Sequence, residues 1–109
     1  MSRREYKVAE KIKEIVATEL LRSSDPRLSL VTISAVTCTP DLRIAKIYWV
    51  ASADRREEID QAFQDANSYF RRAVASTMRI KFTPELRFYY DDTLDTVAEV
   101  ERLFQKIRQ

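Results

Sequence analysis

Residues 30–51 read LVTISAVTCTPDLRIAKIYWVA. Residues 30–38 are rich in β-branched side chains and alternate along the chain, as a half-buried strand does. Residues 42–51 have the same character and make a second strand. Between the two, Thr39-Pro40-Asp41-Leu42 has the form of a β-turn, with Pro40 at the second position, where its fixed φ is already correct. Two strands joined this closely pair most simply as a hairpin.

Helices flank this hairpin. Ser2-x-x-Glu5 has the form of a capping box. Val8, Ile12, Ile15, Val16 and Leu20 then recur at spacings of three and four, while Lys7, Glu10, Lys11, Lys13 and Glu14 take the other side. Ser23-Ser24-Asp25-Pro26 ends this helix, because proline disfavours helical geometry at the residue before it. Downstream, Asp54 can cap a second helix, with Ile59, Ala62, Phe63, Ala66 and Phe70 in helical period and Val74, Thr77 and Met78 continuing it to about residue 81. Inside it lie Ala66, Asn67 and Ser68, and Asn and Ser compete for nearby backbone groups. They read equally as a kink between two helices or as part of the polar face of one. Phe82-Thr83-Pro84 ends the helical stretch, and Glu85–Tyr90 alternates as a third strand, with Pro84 at its start where a missing donor is tolerated. Asp91–Asp95 puts acidic residues at the start of a last helix, favoured by the helix dipole, and Val97, Val100, Leu103, Phe104 and Ile107 are its expected buried stripe. The order α-β-β-α-α-β-α describes one α+β domain over residues 1–109, a three-stranded sheet with helices packed on one face.

Composition narrows the chemistry. The 109 residues include no histidine, no glycine and one cysteine, Cys38. Without histidine there is no Ser-His-Asp or Cys-His catalysis and no imidazole metal ligand. Without glycine there is no Gly-rich phosphate cradle. One cysteine forms neither an intrachain disulfide nor a cysteine zinc site, and with no basic neighbour in its strand it reads as a buried, inert thiol. The longest apolar run, Ile47–Ala51, is far short of a membrane span, and the charged N-terminus has no apolar signal core, so a cytoplasmic protein is expected. The carboxylates Asp91, Asp92 and Asp95 are explained by helix capping with less than a magnesium site requires. Tyr48, Trp49, Tyr89 and Tyr90 read as packing residues ahead of base-stacking ones. No metal, cofactor or small-molecule substrate is expected.

Several strings together resemble a known family: Asp25-Pro26-Arg27, Val31-Thr32-Ile33, Pro40-Asp41-Leu42-Arg43-x-Ala45-Lys46-Ile47-Tyr48, Phe70-Arg71, and Met78-Arg79-Ile80-Lys81-Phe82-Thr83-Pro84-Glu85-Leu86-Arg87-Phe88, closing on Asp91. In this order, from about residue 3 to 95, they resemble bacterial ribosome-binding factor A. The resemblance implies a type II KH fold, which agrees with the element order above. It implies binding to the immature small (30S) ribosomal subunit and its 16S rRNA, assistance to late maturation, and no enzymatic activity. Ordinary KH domains clamp nucleic-acid backbone with a Gly-x-x-Gly loop. This family has an Ala-x-Gly kink instead, which falls here on Ala66, Asn67 and Ser68, with serine in the glycine's place. Lys81 stands where arginine is more usual, keeping the charge but losing the bidentate fork.

The net charge is +2, yet it is blocked along the chain: +4 over residues 71–90, −5 over 91–101 and +3 over 102–109. On a helical wheel of ~100° per residue, Arg72 and Arg79 fall within about 100° of Arg71, and the apolar residues of 69–78 take the other arc. Arg71, Arg72 and Arg79 are therefore the leading RNA-binding candidates, extended by Lys81 and Arg87. Arg3, Arg4, Lys7 and Lys11 form a second candidate cluster, which ordinary helix solubility also explains, helped by a Lys7–Glu10 pair. The acidic segment 91–101 is expected to hold one side of the domain off RNA. The leading reading is a monomeric, non-catalytic RNA-binding assembly factor. An α+β protein-interaction domain without RNA contact is the second, and a compact phosphatase using Arg and Asn is the third and weakest.

Overall fold

The computed structural model describes residues 1–108. The first helix, α1 (Arg3–Arg22), opens as expected: the Ser2 hydroxyl accepts the Glu5 backbone N–H at 3.3 Å and donates to the Glu5 carboxylate at 2.9 Å. Ala9, Ile12, Ile15 and Val16 are buried on one side of it. After α1, the segment Asp25-Pro26-Arg27 forms a short 3-10 turn over Pro26–Leu28. The Arg27 guanidinium binds Asp25 at 2.7 Å and Asp65, on the second helix, at 3.0 Å. Arg55 closes the same junction by donating to the carbonyls of Ser29 and Arg27 at 2.9 and 2.8 Å. The clip joins the loop after α1 to the helix that follows the hairpin.

Strands β1 (Thr32–Cys38) and β2 (Ile44–Val50) are the antiparallel hairpin, in register from Thr32 opposite Val50 to Cys38 opposite Ala45. The turn closes with Leu42 N–H donating to Thr39 O at 2.8 Å. The alternation of β1 is broken once: Ile33, Val36 and Cys38 are buried together, because the pairing is irregular at Ser34. An extra residue there restores the apolar side chains to one face. It also aims the Ser34 hydroxyl at Asp91, whose carboxylate accepts it at 2.6 Å. Strand β3 (Glu85–Tyr90) runs parallel to β2 on its other side, giving the order β1-β2-β3.

A parallel neighbour needs a crossover, and helix α2 (Arg56–Met78) supplies it. Its buried residues Ile59, Ala62, Phe63, Phe70 and Val74 meet Trp49, Ile47 and Leu86 of the sheet in one core. Phe63 stacks on Phe88 with centroids 4.3 Å apart, and Trp49 meets Tyr90 edge-on at 5.1 Å. Cys38 is buried, and burial pushes its thiol pKa up, with the Glu5 charge adding to the effect. No helix among the described residues is long and apolar enough to cross a membrane.

Three expectations are corrected. The break into two helices at Ala66, Asn67 and Ser68 is absent: α2 runs through them as one helix, so the order is α-β-β-α-β-α. Asn67 does not compete for its own backbone; its amide donates to the Leu86 carbonyl of β3 at 3.0 Å, and Ser68 simply faces outward. The same helix ends at Met78, before residue 81, because Arg79 takes the left-handed conformation at φ 53°. Finally, the last helix, α3 (Thr93–Arg108), buries none of its residues. Val97, Val100, Leu103, Phe104 and Ile107 are all exposed, because α1 and α2 already occupy the core face of the sheet.

This division of labour has a direct measure. Phe63→Ala should cost about 3–5 kcal/mol in urea unfolding, whereas Phe104→Ala should change stability by less than about 0.5 kcal/mol. The carboxylates of the junctions give a second test. The Arg27 hydrogen bond holds the Asp25 pKa below its ordinary value, the Gln61 amide and then Arg27 do so for Asp65, and the Ser34 and Thr93 hydroxyls for Asp91. A depressed folded-state pKa gives stability that is complete above the unfolded value, about 3.9 for Asp, and lost as pH falls through the folded one. Arg27→Gln should therefore be less stable than the parent at pH 7, and thermal melts should show that gap closing between about pH 5 and pH 2.

Candidate nucleic-acid interface

Phe70 and Val74 anchor the C-terminal half of α2 to the sheet, so the two residues after Phe70 emerge on the outside. Arg71 and Arg72 are both exposed, and neither is in an ion pair among the described residues. Arg71 Nη2 donates to the Thr83 carbonyl at 3.2 Å, which ties α2 to the loop leading into β3. That loop carries Lys81, exposed, with its Nζ 5.4 Å from the ring centroid of Phe82. Arg71, Arg72, Lys81 and Phe82 line one depression beside Ser68.

A larger groove adjoins it, with a volume of about 800 Å³. Its apolar lining comes from Val8 of α1, Leu42 of the hairpin turn, and Ile80 and Phe82 of the loop. Its charged lining comes from Arg4, Arg43, Arg71 and Lys81, set against Asp41 and Glu85. Both acids are partly spent: Asp41 lies 3.8 Å from Arg43, and Glu85 binds Arg87 at 3.3 Å. The N-terminus of α1, the hairpin turn, the end of α2 and the start of β3 thus converge on one cationic cleft.

The sequence candidates separate accordingly. Arg71, Arg72 and Lys81 come together, and Arg4 joins them from the second cluster. Arg79 is exposed but sits in the left-handed cap past the end of α2, so the shared helical arc of Arg71, Arg72 and Arg79 does not exist. Arg87 is held by Glu85, whose hydrogen bond raises the guanidinium pKa. Arg3, Lys7 and Lys11 are exposed on α1 and do not line the cleft. The ion pair on that face is Lys11–Glu14 at 3.4 Å rather than Lys7–Glu10. Among the lining residues that the sequence does not single out are Arg43 and Phe82. Phe82 follows Met78 by four and precedes Leu86 by four, so its spacing fits both the helix before it and the strand after it and does not mark it out.

The other singled-out groups are structural. Trp49 is in the core and Tyr90 is half-buried against it, while Tyr48 and Tyr89 pair at 5.7 Å on the opposite sheet face. Asp91 caps α3 by accepting the Thr93 N–H at 3.0 Å, and Asp95 accepts the Tyr90 hydroxyl.

Comparison with known proteins bears on the family and the fold. The family profile described as ribosome-binding factor A matches residues 4–104. The ribosome-binding factor A of Geobacter sulfurreducens is 34% identical over 98% of this chain and 93% of its own length, and that of Pelobacter propionicus 36% over 98% and 90%. The crystal structure of ribosome-binding factor A from Thermus thermophilus superposes with a TM-score of 0.73 at 27% identity, covering 79% of this chain and 93% of that one. A homology model of the Thermus thermophilus factor, fitted into a cryo-electron microscopy map of a 30S complex, gives 0.66 at 28% identity, covering 76% and 90%. These relatives have the KH-like α+β fold, and so does this chain.

The left-handed cap gives a prediction independent of any ligand. A side chain at positive φ costs roughly 1–2 kcal/mol that glycine does not incur. Arg79→Gly should raise the urea midpoint, with an unfolding free energy higher by about 1 kcal/mol after the entropy glycine adds to the unfolded chain. A lower midpoint would mean that the Arg79 side chain itself supports the loop.

Proposed function

The chain belongs to the ribosome-binding factor A family, and from that premise we propose that it binds the immature small ribosomal subunit through its 16S rRNA and assists late maturation without catalysis. The observation that carries this reading is the convergence of Arg4, Arg71, Arg72 and Lys81, none of them ion-paired among the described residues, around one cleft in which Arg43 pairs with Asp41 and Arg87 engages Glu85. Cations that neutralise phosphates release condensed counterions, and that release drives binding to a polyanion. Arg71 and Arg72 present planar forks suited to phosphate oxygens. Lys81 adds a point charge within the cleft, while Arg79 and Arg87 stand outside its lining and Arg3, Lys7 and Lys11 extend the positive charge along α1.

Assistance without chemistry means holding one rRNA conformation in preference to another. A ligand shifts such an equilibrium only by its differential affinity for the two states. The factor therefore binds free or precursor 30S particles more tightly than mature ribosomes, as a monomer, in the compartment where subunits assemble. It needs no cofactor and no small-molecule substrate for this.

Co-sedimentation with separated 30S subunits, 50S subunits and whole ribosomes tests the reading. The wild-type chain should select free 30S, with affinity falling about 100-fold between 50 and 200 mM salt if about four phosphates are neutralised. Arg4→Glu combined with Arg72→Glu, both exposed and outside the ion pairs of the described residues, should abolish co-sedimentation while leaving the urea midpoint in place. Normal co-sedimentation of that variant would remove the cleft from the interface, and a flat salt response would point to a protein contact instead.

A further inference from the structure

Phe82 is 77% exposed, yet the segment carrying it is held on both sides. Arg79 caps α2 just before it, Arg71 holds the Thr83 carbonyl just after it, and Pro84 is fully buried. Glu85 N–H then donates to Arg43 O at 2.8 Å, which fixes the loop to the start of β2. The ring is thus an aromatic held at the rim of the groove, displayed at a cost in exposed apolar area. Lys81 covers only one of its faces, at 5.4 Å. Beside it lie an apolar lining from Val8, Leu42 and Ile80 and the cations Arg4, Arg43 and Arg71.

We infer that this groove is a pocket for one unpaired RNA nucleotide, its base stacked on Phe82 and its flanking phosphates held by Arg4, Arg43, Arg71 and Lys81. The inference rests on the reading that the partner is rRNA, and it adds that a base splayed out of a single-stranded segment is what this cleft takes. A base offers a flat π-face to an aromatic ring, and the phosphates on either side of it need cations a few ångströms away. That pattern of one aromatic ringed by basic side chains is the physical requirement of single-strand binding. Paired bases have both faces covered by their neighbours and offer nothing to Phe82, so a regular duplex meets only the charges. The volume of about 800 Å³ falls in the range of sites that enclose a small organic group. Because the ring is already held in place, little ordering entropy is lost when a base arrives.

The stacking contribution and the charge contribution separate in one experiment. Wild-type, Phe82→Ala and Phe82→Trp chains are titrated with purified 30S subunits, a short single-stranded oligoribonucleotide, a hairpin duplex of matched composition, and inorganic polyphosphate. Phe82→Ala should bind the 30S subunit and the single strand about 10- to 100-fold more weakly, with an unchanged log–log salt slope, since no phosphate contact is removed. Phe82→Trp should bind both like wild type. Its added indole fluorescence, taken as the difference from wild type, should be quenched by the single strand and not by duplex or polyphosphate. Unchanged binding by Phe82→Ala, or equal quenching by polyphosphate, would overturn the nucleotide pocket and leave a purely electrostatic surface. A fall in salt slope for Phe82→Ala would assign Phe82 to positioning Lys81, which also overturns stacking. Failure of the wild-type chain to bind 30S subunits at all would instead sink the proposed function itself.

Discussion

Phe63 and Phe70 lie seven residues apart on α2, two helical turns, and both rest on Phe88 of β3 with centroids at 4.3 and 5.6 Å. Trp49 of β2 closes against Phe63 at 5.8 Å and against Tyr90 at 5.1 Å. This aromatic cluster sets how the crossover helix lies over two parallel strands, and the functional face follows from it. Because Phe70 and Val74 point inward, Arg71 and Arg72 cannot. The cluster has one internal cost, since the Trp49 indole N–H is buried without a hydrogen-bond partner among the described residues. An unsatisfied buried donor costs about 1–3 kcal/mol, the same order as the gain from burying one large apolar side chain. The ring offsets that cost by joining β2, α2 and β3 at one point.

The absence of glycine shapes the cleft. Left-handed backbone is normally left to glycine, but here the positive-φ positions are Leu30, Leu42 and Arg79. Leu42 lines the cleft, and Arg79 precedes the loop that does. Leu42 turns the hairpin at φ 57° and so contributes an apolar wall where a glycine would leave none. Arg79 stops α2 and sends Ile80, Lys81, Phe82 and Thr83 out as a loop across the end of the sheet. Had the helix run to residue 81, Lys81 would continue α2 and Phe82 would not stand at the rim.

That helix stop also shows where the sequence was legible and where it was not. The hairpin could be read because β-branching, alternation and the Pro40 turn are local signals that tertiary packing reinforces. The end of α2 could not, since Met78-Arg79-Ile80-Lys81 contains no breaker and arginine is a good helix former. What ends the helix is the burial of Pro84 and the Arg71–Thr83 bond, both tertiary. Asn67 misled for the same reason, its amide being committed to Leu86 across the sheet edge rather than to its own helix. The stripe on α3 misled differently. Periodicity reports that a helix has an apolar side, not that anything is available to cover it. Within the cleft, Arg71, Arg72 and Lys81 were legible as charge, whereas their meeting with Arg4 and Arg43 depends on the sheet bringing three distant segments to one end.

The separation of charge along β3 then gives the domain a direction. Glu85, at the start of the strand, lines the cationic cleft, and Tyr90, at its end, leads into Asp91, Asp92 and Asp95. Six residues of strand span about 20 Å, more than twice the roughly 8 Å screening length at physiological salt. Each end therefore acts on a polyanion as a separate local charge, attractive at the cleft and repulsive at the start of α3. Asp91 and Asp95 are also bound to Ser34, Thr93 and Tyr90, so the repulsive end is built from groups that dock α3 to the sheet. A small net charge is compatible with this, because orientation depends on where the charges sit and not on their sum. Under the proposed function, a nearly neutral chain meets RNA at the end where Phe82 stands exposed beside Arg71 and Lys81.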